Sequence, residues 1–128
     1  MELLLDTHVV IWYITDDKQL PVLTKQLLED KKNRCFVSIA SLWEIAIKYS
    51  LGRLILNADL ERIFEIIEES GFDLLPITSR HILANANLEF HHQDPFDRII
   101  IAQSVTEKLN LVSKDKQFRN YKVSLIWN

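Results

Sequence analysis

Residues 2–14 read ELLLDTHVVIWYI and place a strand, an acid and a helix in direct succession. Glu2–Leu5 is too short an apolar run to form a helix by itself, so it predicts a buried strand that ends at Asp6. Thr7–Ile14 then predicts a helix. Strands that alternate with helices indicate an α/β protein, in which a parallel sheet is covered by helices on both faces.

The rest of the chain continues this alternation of short strands and longer helices. Four further strands are predicted at Cys35–Ser38, Phe72–Ile77, Leu111–Ser113 and Val123–Ile126. Five further helices are predicted at Thr24–Asp30, Ser41–Leu51, Asp59–Ser70, Thr78–Leu88 and Asp94–Leu109. Helix therefore dominates, and we expect an α/β fold with a small, mostly parallel central sheet.

The composition indicates a globular protein of one domain. The chain has 128 residues, of which 48% are hydrophobic and 26% charged, and only two glycines, so long flexible linkers are not expected. No apolar run approaches the about 20 residues of a membrane span, and the N-terminus lacks the basic region of a secretory signal. The lone Cys35 cannot form an internal disulfide. We therefore expect a cytoplasmic protein, with no membrane partner.

Four acids are predicted to meet at one edge of the sheet. Asp6 follows the first strand, and Asp115 comes two residues after the strand that ends at Ser113. Glu44 and Asp97 lie in the first turns of two helices. Sites in open α/β sheets form beyond the carboxyl ends of the strands, where such helices begin. Four converging carboxylates with no Cys or His at zinc spacing favour a hard cation, Mg²⁺ or Mn²⁺.

Each of these acids also has a purely structural interpretation. Asp6 fits the cap of the following helix, Glu44 fits a capping box with Ser41, and Asp115 fits an ordinary turn. Any one acid is explained in this way. Four acids together would repel one another strongly unless a cation neutralised them, which favours the metal site.

The stretch HHQDPFDRIIIAQ, residues 91–103, combines both interpretations. Asp94 is a good helix cap, and Pro95 suits the first position of a helix. Asp97 falls at the third position, where an acid faces the positive end of the helix dipole. We therefore assign Asp94 to the helix start and Asp97 to the metal.

The four histidines are interpreted as structural or polar residues. His91 and His92 are adjacent in a predicted loop, whereas zinc sites usually space their histidines. His8 and His81 lie on predicted helices. Among the four, His8 is singled out as the candidate for a role at the site, because it is two residues from Asp6.

Four segments together resemble the PIN-domain ribonucleases, and among them the VapC-type toxins of type II toxin–antitoxin systems. They occur in the family's order and cover nearly the whole chain, and the closest likeness is to the subgroup that carries HHxDPFDR and SLWEI. The segments are LLLDTHVVIW at 3–12, SIASLWEIAIKYSLGRL at 38–54, HHQDPFDRIIIAQ at 91–103, and LVSKDKQF at 111–118 followed by YKVSLIW.

The resemblance implies a single PIN-like domain over residues 1–128, with a three-layer fold and a metal-dependent endoribonuclease activity. Water activated at the metal would cut RNA to a 5′-phosphate and a 3′-hydroxyl. An antitoxin protein and a second copy of the chain are the implied protein partners. The metal ligands carry over as Asp6, Glu44, Asp97 and Asp115; the residues that would support them or contact substrate are Thr7, Ser38, Asp94 and Arg98.

Two other functions remain open at this point. The predicted helix Ser41–Leu51 is apolar around nearly its whole surface, which would also suit a PIN-like module that mainly binds a partner. A receiver-like phosphoacceptor domain has a similar length and also uses acids at strand ends. Such domains usually carry a pair of acids after the first strand, however, and here Asp6 stands alone.

Overall fold

A five-stranded sheet forms the centre of the computed structural model, which describes residues 1–127. The strands run in the order β3-β2-β1-β4-β5, and every neighbouring pair is parallel. They are β1 (Glu2–Leu5), β2 (Arg34–Ser38), β3 (Asp73–Leu75), β4 (Asn110–Val112) and β5 (Ser124–Ile126). The predicted parallel sheet is therefore confirmed.

Six α-helices and one short 3₁₀ helix connect the strands. The α-helices are α1 (Thr7–Ile14), α2 (Val22–Glu29), α3 (Ile39–Ser50), α4 (Leu60–Glu69), α5 (Ser79–Ala86) and α6 (Pro95–Glu107). The 3₁₀ helix covers Lys116–Asn120. Within the part of the chain that the structure describes, no helix has the length and apolar character needed to cross a membrane.

The central strand β1 separates two hydrophobic cores. Successive side chains of a strand point to opposite faces, so Leu3 and Leu5 pack into one core and Leu4 into the other. The first core contains residues of α1, α2 and α4, and the second contains most of the buried face of α6. Helices thus cover both faces of the sheet, as the three-layer prediction requires.

The strand order separates this fold from that of receiver-like domains. Receivers have a flavodoxin-like sheet with the order 2-1-3-4-5, whereas here the first strand is central and the order is 3-2-1-4-5. In addition, β2 ends at Ser38 rather than at an acceptor aspartate. The structure therefore does not support the phosphoacceptor alternative.

The start of α3 differs from the prediction. The helix begins at Ile39, directly after β2, and the Ser38 hydroxyl caps it by accepting from the Ala40 N–H at 3.0 Å. Ser41 therefore lies inside the helix, where its hydroxyl bonds to that of Thr7 at 2.8 Å. The predicted capping box of Ser41 and Glu44 is wrong, because a better cap stands three residues earlier.

Candidate metal centre

The four predicted acids lie together at the carboxyl edge of the sheet. Asp6 follows β1, Glu44 lies in α3, Asp97 lies in the first turn of α6, and Asp115 precedes the 3₁₀ helix that follows β4. The pKa of Asp97 is raised to about 8, mainly by burial and further by the negative charges of its neighbours Asp6, Asp94, Glu44 and Asp115. The four carboxylates are thus close enough to affect one another, and we call them the acid cluster.

Asp6 does not cap the helix that follows it. Its Oδ2 accepts a hydrogen bond from the Ser113 hydroxyl at 2.8 Å, and its buried Oδ1 has no partner in residues 1–127. Burial raises the pKa of Asp6, and the charge of Glu44 acts in the same direction. The backbone N–H of His8 is near enough to lower the pKa somewhat, but no capping hydrogen bond forms. The interpretation of the Asp6 side chain as the cap of α1 is therefore wrong.

Glu44 is also buried and only half satisfied. Its Oε2 lies 3.1 Å from the Lys48 ammonium, one turn further along α3, whereas Oε1 is buried without a partner in the described chain. A buried acceptor without a partner costs about 1–3 kcal/mol. Two such oxygens in one acid cluster fit a cation, since the oxygen-rich donor set suits Mg²⁺ or Mn²⁺.

His92 is the histidine that reaches the acid cluster. Its Nε2 lies 3.1 Å from Asp97 Oδ2 and 3.0 Å from Asp115 Oδ2. The three residues offer ligand atoms that all lie within 4.8 Å of one another. His8 instead is exposed and packs against Trp12, with 5.8 Å between ring centroids. The interpretation of His92 as an ordinary polar loop residue is therefore wrong.

Asp94 serves the helix start, as its position indicates. Its Oδ1 accepts from the backbone N–H groups of Phe96 at 2.9 Å and of Asp97 at 3.1 Å. The Asp97 carboxylate is therefore not needed as a cap. It points instead to the acid cluster, where Asp94 contributes only its charge.

The expected supporting hydroxyls are not the ones that contact the acids. Thr7 bonds to Ser41, and Ser38 caps α3. The hydroxyl that holds an acid belongs to Ser113, which follows β4 at the same sheet edge. Residues that follow parallel strands lie at the carboxyl edge of the sheet, which is why Asp115 was expected there. The same reasoning applies to Ser113, so the sequence also indicated a position for Ser113 beside the acids.

Arg98 is buried, and the two terminal nitrogens of its guanidinium donate mainly to backbone carbonyl groups. Its donors reach the carbonyl oxygens of Asn85, Leu88, Glu89 and His92 and the Tyr121 hydroxyl, at 2.9–3.5 Å. The guanidinium carbon also lies 4.1 Å from the centroid of the Phe90 ring. A contact to phosphate or to a partner's carboxylate is therefore not its role. Arg98 instead fastens the segment that carries His92.

Comparisons with known proteins agree with this geometry. A family model described as PIN domain matches residues 3–123. The fold is similar to that of VapBC2 from Rickettsia felis, solved with a DNA fragment from their promoter, at 16% identity over 98% of both chains, with a TM-score of 0.72. It is also similar to VapBC-1 from nontypeable Haemophilus influenzae, at 17% identity over 98% of this chain and 97% of that one, with a TM-score of 0.72.

A third similar structure is FitAcB from Neisseria gonorrhoeae, at 19% identity over 97% of this chain and 96% of that one, with a TM-score of 0.65. At these identities the likeness concerns the fold. No curated protein is similar enough in sequence to count as a match.

Proposed function

The chain belongs to the PIN domain family, and we propose on that premise that it is a metal-dependent endoribonuclease. The observation that carries the proposal is the acid cluster, in which Asp6 and Glu44 each keep one buried oxygen without a partner. Buried polar atoms in folded proteins usually have a hydrogen-bond partner, so two unpartnered carboxylate oxygens in one cluster favour a bound water or ion. A divalent cation is the partner that four carboxylates would attract.

Asp6, Glu44, Asp97 and Asp115 would hold the cation, Mg²⁺ or Mn²⁺. When bound, the cation would lower the pKa of a coordinated water molecule and would stabilise the negative charge that develops on the phosphate. Two neighbouring side chains orient the acids and offset part of their negative charge. Ser113 fixes one oxygen of Asp6, and Lys48 offsets part of the charge of Glu44.

The reaction needs no covalent nucleophile from the protein. The oxygen of water forms a bond to phosphorus, and the bond from phosphorus to the 3′-oxygen breaks. The 3′-oxygen leaves with a proton, which gives a 5′-phosphate and a 3′-hydroxyl. The carboxylates orient the attacking water in line with the leaving oxygen, and this positioning supplies much of the rate.

Two exposed basic residues, Lys114 and Lys116, flank Asp115 in the sequence. The ammonium group of Lys114 lies over the Trp12 ring, 6.0 Å from its centroid. Such cations would contact the phosphates of RNA without reading its sequence. The other exposed basic residues of this part of the chain are Lys108, Arg119 and Lys122, of which Lys108 and Lys122 precede β4 and β5 and therefore lie toward the opposite edge of the sheet.

We further propose that the ribonuclease is the toxin of a toxin–antitoxin pair and that it forms a homodimer. The similar structures from Rickettsia felis and Salmonella typhimurium are VapBC proteins bound to DNA, and a further one from Klebsiella pneumoniae is a toxin–antitoxin complex. Large apolar side chains such as Trp43 and Leu83 are more than 60% exposed in the single chain, which suits protein partners.

Cleavage of a labelled single-stranded RNA tests the proposed activity. The purified protein should cut it with Mg²⁺ or Mn²⁺ and stop with EDTA. Asp6→Asn and Asp97→Asn should each lower the rate roughly 100-fold or more, because each removes charge from the cation site. Asp59→Asn is the matched control, since it makes the same change at the cap of α4, where asparagine caps equally well.

The same variants test the role as a toxin. Induced expression of the wild-type chain should stop bacterial growth, and Asp97→Asn should not. If both amide variants cut RNA at the wild-type rate, the assignment is wrong. If the wild type cuts RNA but bacterial growth is unaffected, the proposed ribonuclease activity is supported and the proposed role as a toxin is wrong.

A further inference from the structure

His92 joins two acids of the cluster that come from different parts of the chain. Asp97 lies on α6, and Asp115 lies beyond β4, yet Nε2 of the single imidazole is 3.1 Å from one carboxylate and 3.0 Å from the other. The side chain of His92 is only 11% exposed, so little water competes for these contacts.

The hydrogen bonds around the ring assign the position of its proton. The backbone N–H of Asp94 donates to Nδ1 of His92 at 3.2 Å. Nδ1 is therefore an acceptor, and in the neutral imidazole the proton must sit on Nε2. The Nε2–H group then donates to Asp115 Oδ2 at 3.0 Å, and Asp97 Oδ2 lies 3.1 Å from the same nitrogen.

The main chain of His92 is held from both sides. Its N–H donates to the Tyr121 hydroxyl at 2.9 Å, and its carbonyl oxygen accepts from Arg98 at 3.3 Å. The ring packs against Phe118, with 5.6 Å between centroids. With four separate contacts on one residue, the direction of the Nε2–H bond is set by the fold rather than by the acids it meets.

We propose that His92 is a positioning residue of the acid cluster, which holds the carboxylates of Asp97 and Asp115 side by side for the cation. This inference rests on the proposed function, since it concerns the same acids. Hydrogen bonds to ligating carboxylates orient them, and the loss of such a bond typically weakens metal binding about 10- to 100-fold.

The same geometry argues against His92 as a ligand of the cation. To bind a metal through Nε2, the ring would have to move its proton to Nδ1. A proton there would face the backbone N–H of Asp94, and a hydrogen bond at the start of α6 would be lost. His92 therefore contacts the carboxylates through its proton, and each carboxylate oxygen keeps a lone pair for the cation.

Calorimetric titration with Mn²⁺ tests the inference without relying on activity. His92→Phe keeps a ring against Phe118 but has no donor, and it should bind Mn²⁺ about 10- to 100-fold more weakly than wild type. His92→Gln carries an N–H donor at a similar reach and should recover most of the affinity. His91→Gln is the matched control: its ring bonds to the exposed Glu89 instead, and it should bind as wild type does.

Nitrogen-15 NMR of the metal-free wild type provides a second measurement that needs no variant to fold. It should place a proton on Nε2 of His92 and none on Nδ1. A proton on Nδ1 would overturn the inference, as would wild-type Mn²⁺ affinity in His92→Phe. Equal losses in the phenylalanine and glutamine variants would mean that His92 is a ligand. No Mn²⁺ binding by the wild type would overturn both this inference and the proposed function.

Discussion

Asp97 is the residue where burial, charge and helix capping act together. Because Asp94 takes the backbone N–H groups at the start of α6, the Asp97 carboxylate is left to face the other acids. His92 Nε2 lies 3.1 Å from one of its oxygens. Burial, together with the negative charges of the neighbouring acids, raises the pKa of Asp97 to about 8, which favours the protonated carboxyl in the metal-free protein at neutral pH.

This shift predicts how the stability of the metal-free protein depends on pH. The pKa of Asp97 lies above its ordinary value of 3.8, so the folded state holds a proton that the unfolded state releases between 3.8 and about 8. Stability should therefore fall as pH rises through this window and level off above it. For one proton, the slope within this window approaches about 1.4 kcal/mol per pH unit.

Urea unfolding at several pH values measures how the free energy of unfolding of the metal-free protein depends on pH. Asp97→Asn cannot ionise, so its advantage over metal-free wild type should grow steadily from pH 5 to pH 8. Mg²⁺ should stabilise the wild type more than the variant, because it binds the folded cluster. Asp59→Asn should follow the wild-type pH dependence. A constant difference between Asp97→Asn and wild type would mean that Asp97 is not coupled to the other acids.

At the scale of elements, helix α3 has one side for the core and one for the surface. Ile45 is fully buried, whereas Trp43 is 62% exposed, and its ring packs edge to face with that of Phe96, with 5.3 Å between centroids. Ile77, Ile82 and Phe96 help to line an apolar groove of about 260 Å³ beside it. The apolar residues predicted around nearly the whole helix therefore have two roles: some pack in the core, and others form an exposed apolar face.

We expect this exposed face to join two copies of the chain. Trp43→Ser removes the largest exposed apolar side chain of the groove. It should leave the fold intact and shift the protein from dimer to monomer in light scattering, because large buried aromatic residues carry much of the binding energy of an interface. Ile55→Ser is the control, because Ile55 is 90% exposed and does not line this groove. A monomeric wild type, or a variant that stays dimeric, would contradict the assignment.

The sequence predicted the elements and the acids better than their supporting contacts. Apolar runs and caps are local signals, so β1, α1 and the cap at Asp94 followed from them. His92 contacts Asp115, which is 23 residues away, and nothing local distinguishes it from His91. Arg98 shows the same limit, because a buried arginine that binds carbonyl groups has no pattern of its own. Which loop folds back over which helix is decided by tertiary packing.

On the scale of the whole molecule, parallel topology explains why distant residues meet. β1 and β4 pair side by side with their carboxyl ends together, and the backbone N–H of Asp6 continues the ladder to the Val112 carbonyl oxygen at 3.0 Å. Ser113 follows at the same edge and reaches Asp6 across 107 residues of sequence. The sheet thus carries the rigid part of the acid cluster, while α3 and α6 add Glu44 and Asp97.

A crystal structure with Mn²⁺, located by its anomalous signal, shows directly whether the acid cluster binds a cation. We expect a peak enclosed by Asp6, Glu44, Asp97 and Asp115, with the buried oxygens of Asp6 and Glu44 turned toward it. The peak should disappear in Asp97→Asn crystals soaked in the same way. No peak at the acid cluster of the wild type, or an ion bound elsewhere while these four carboxylates remain without one, would contradict the proposed metal site.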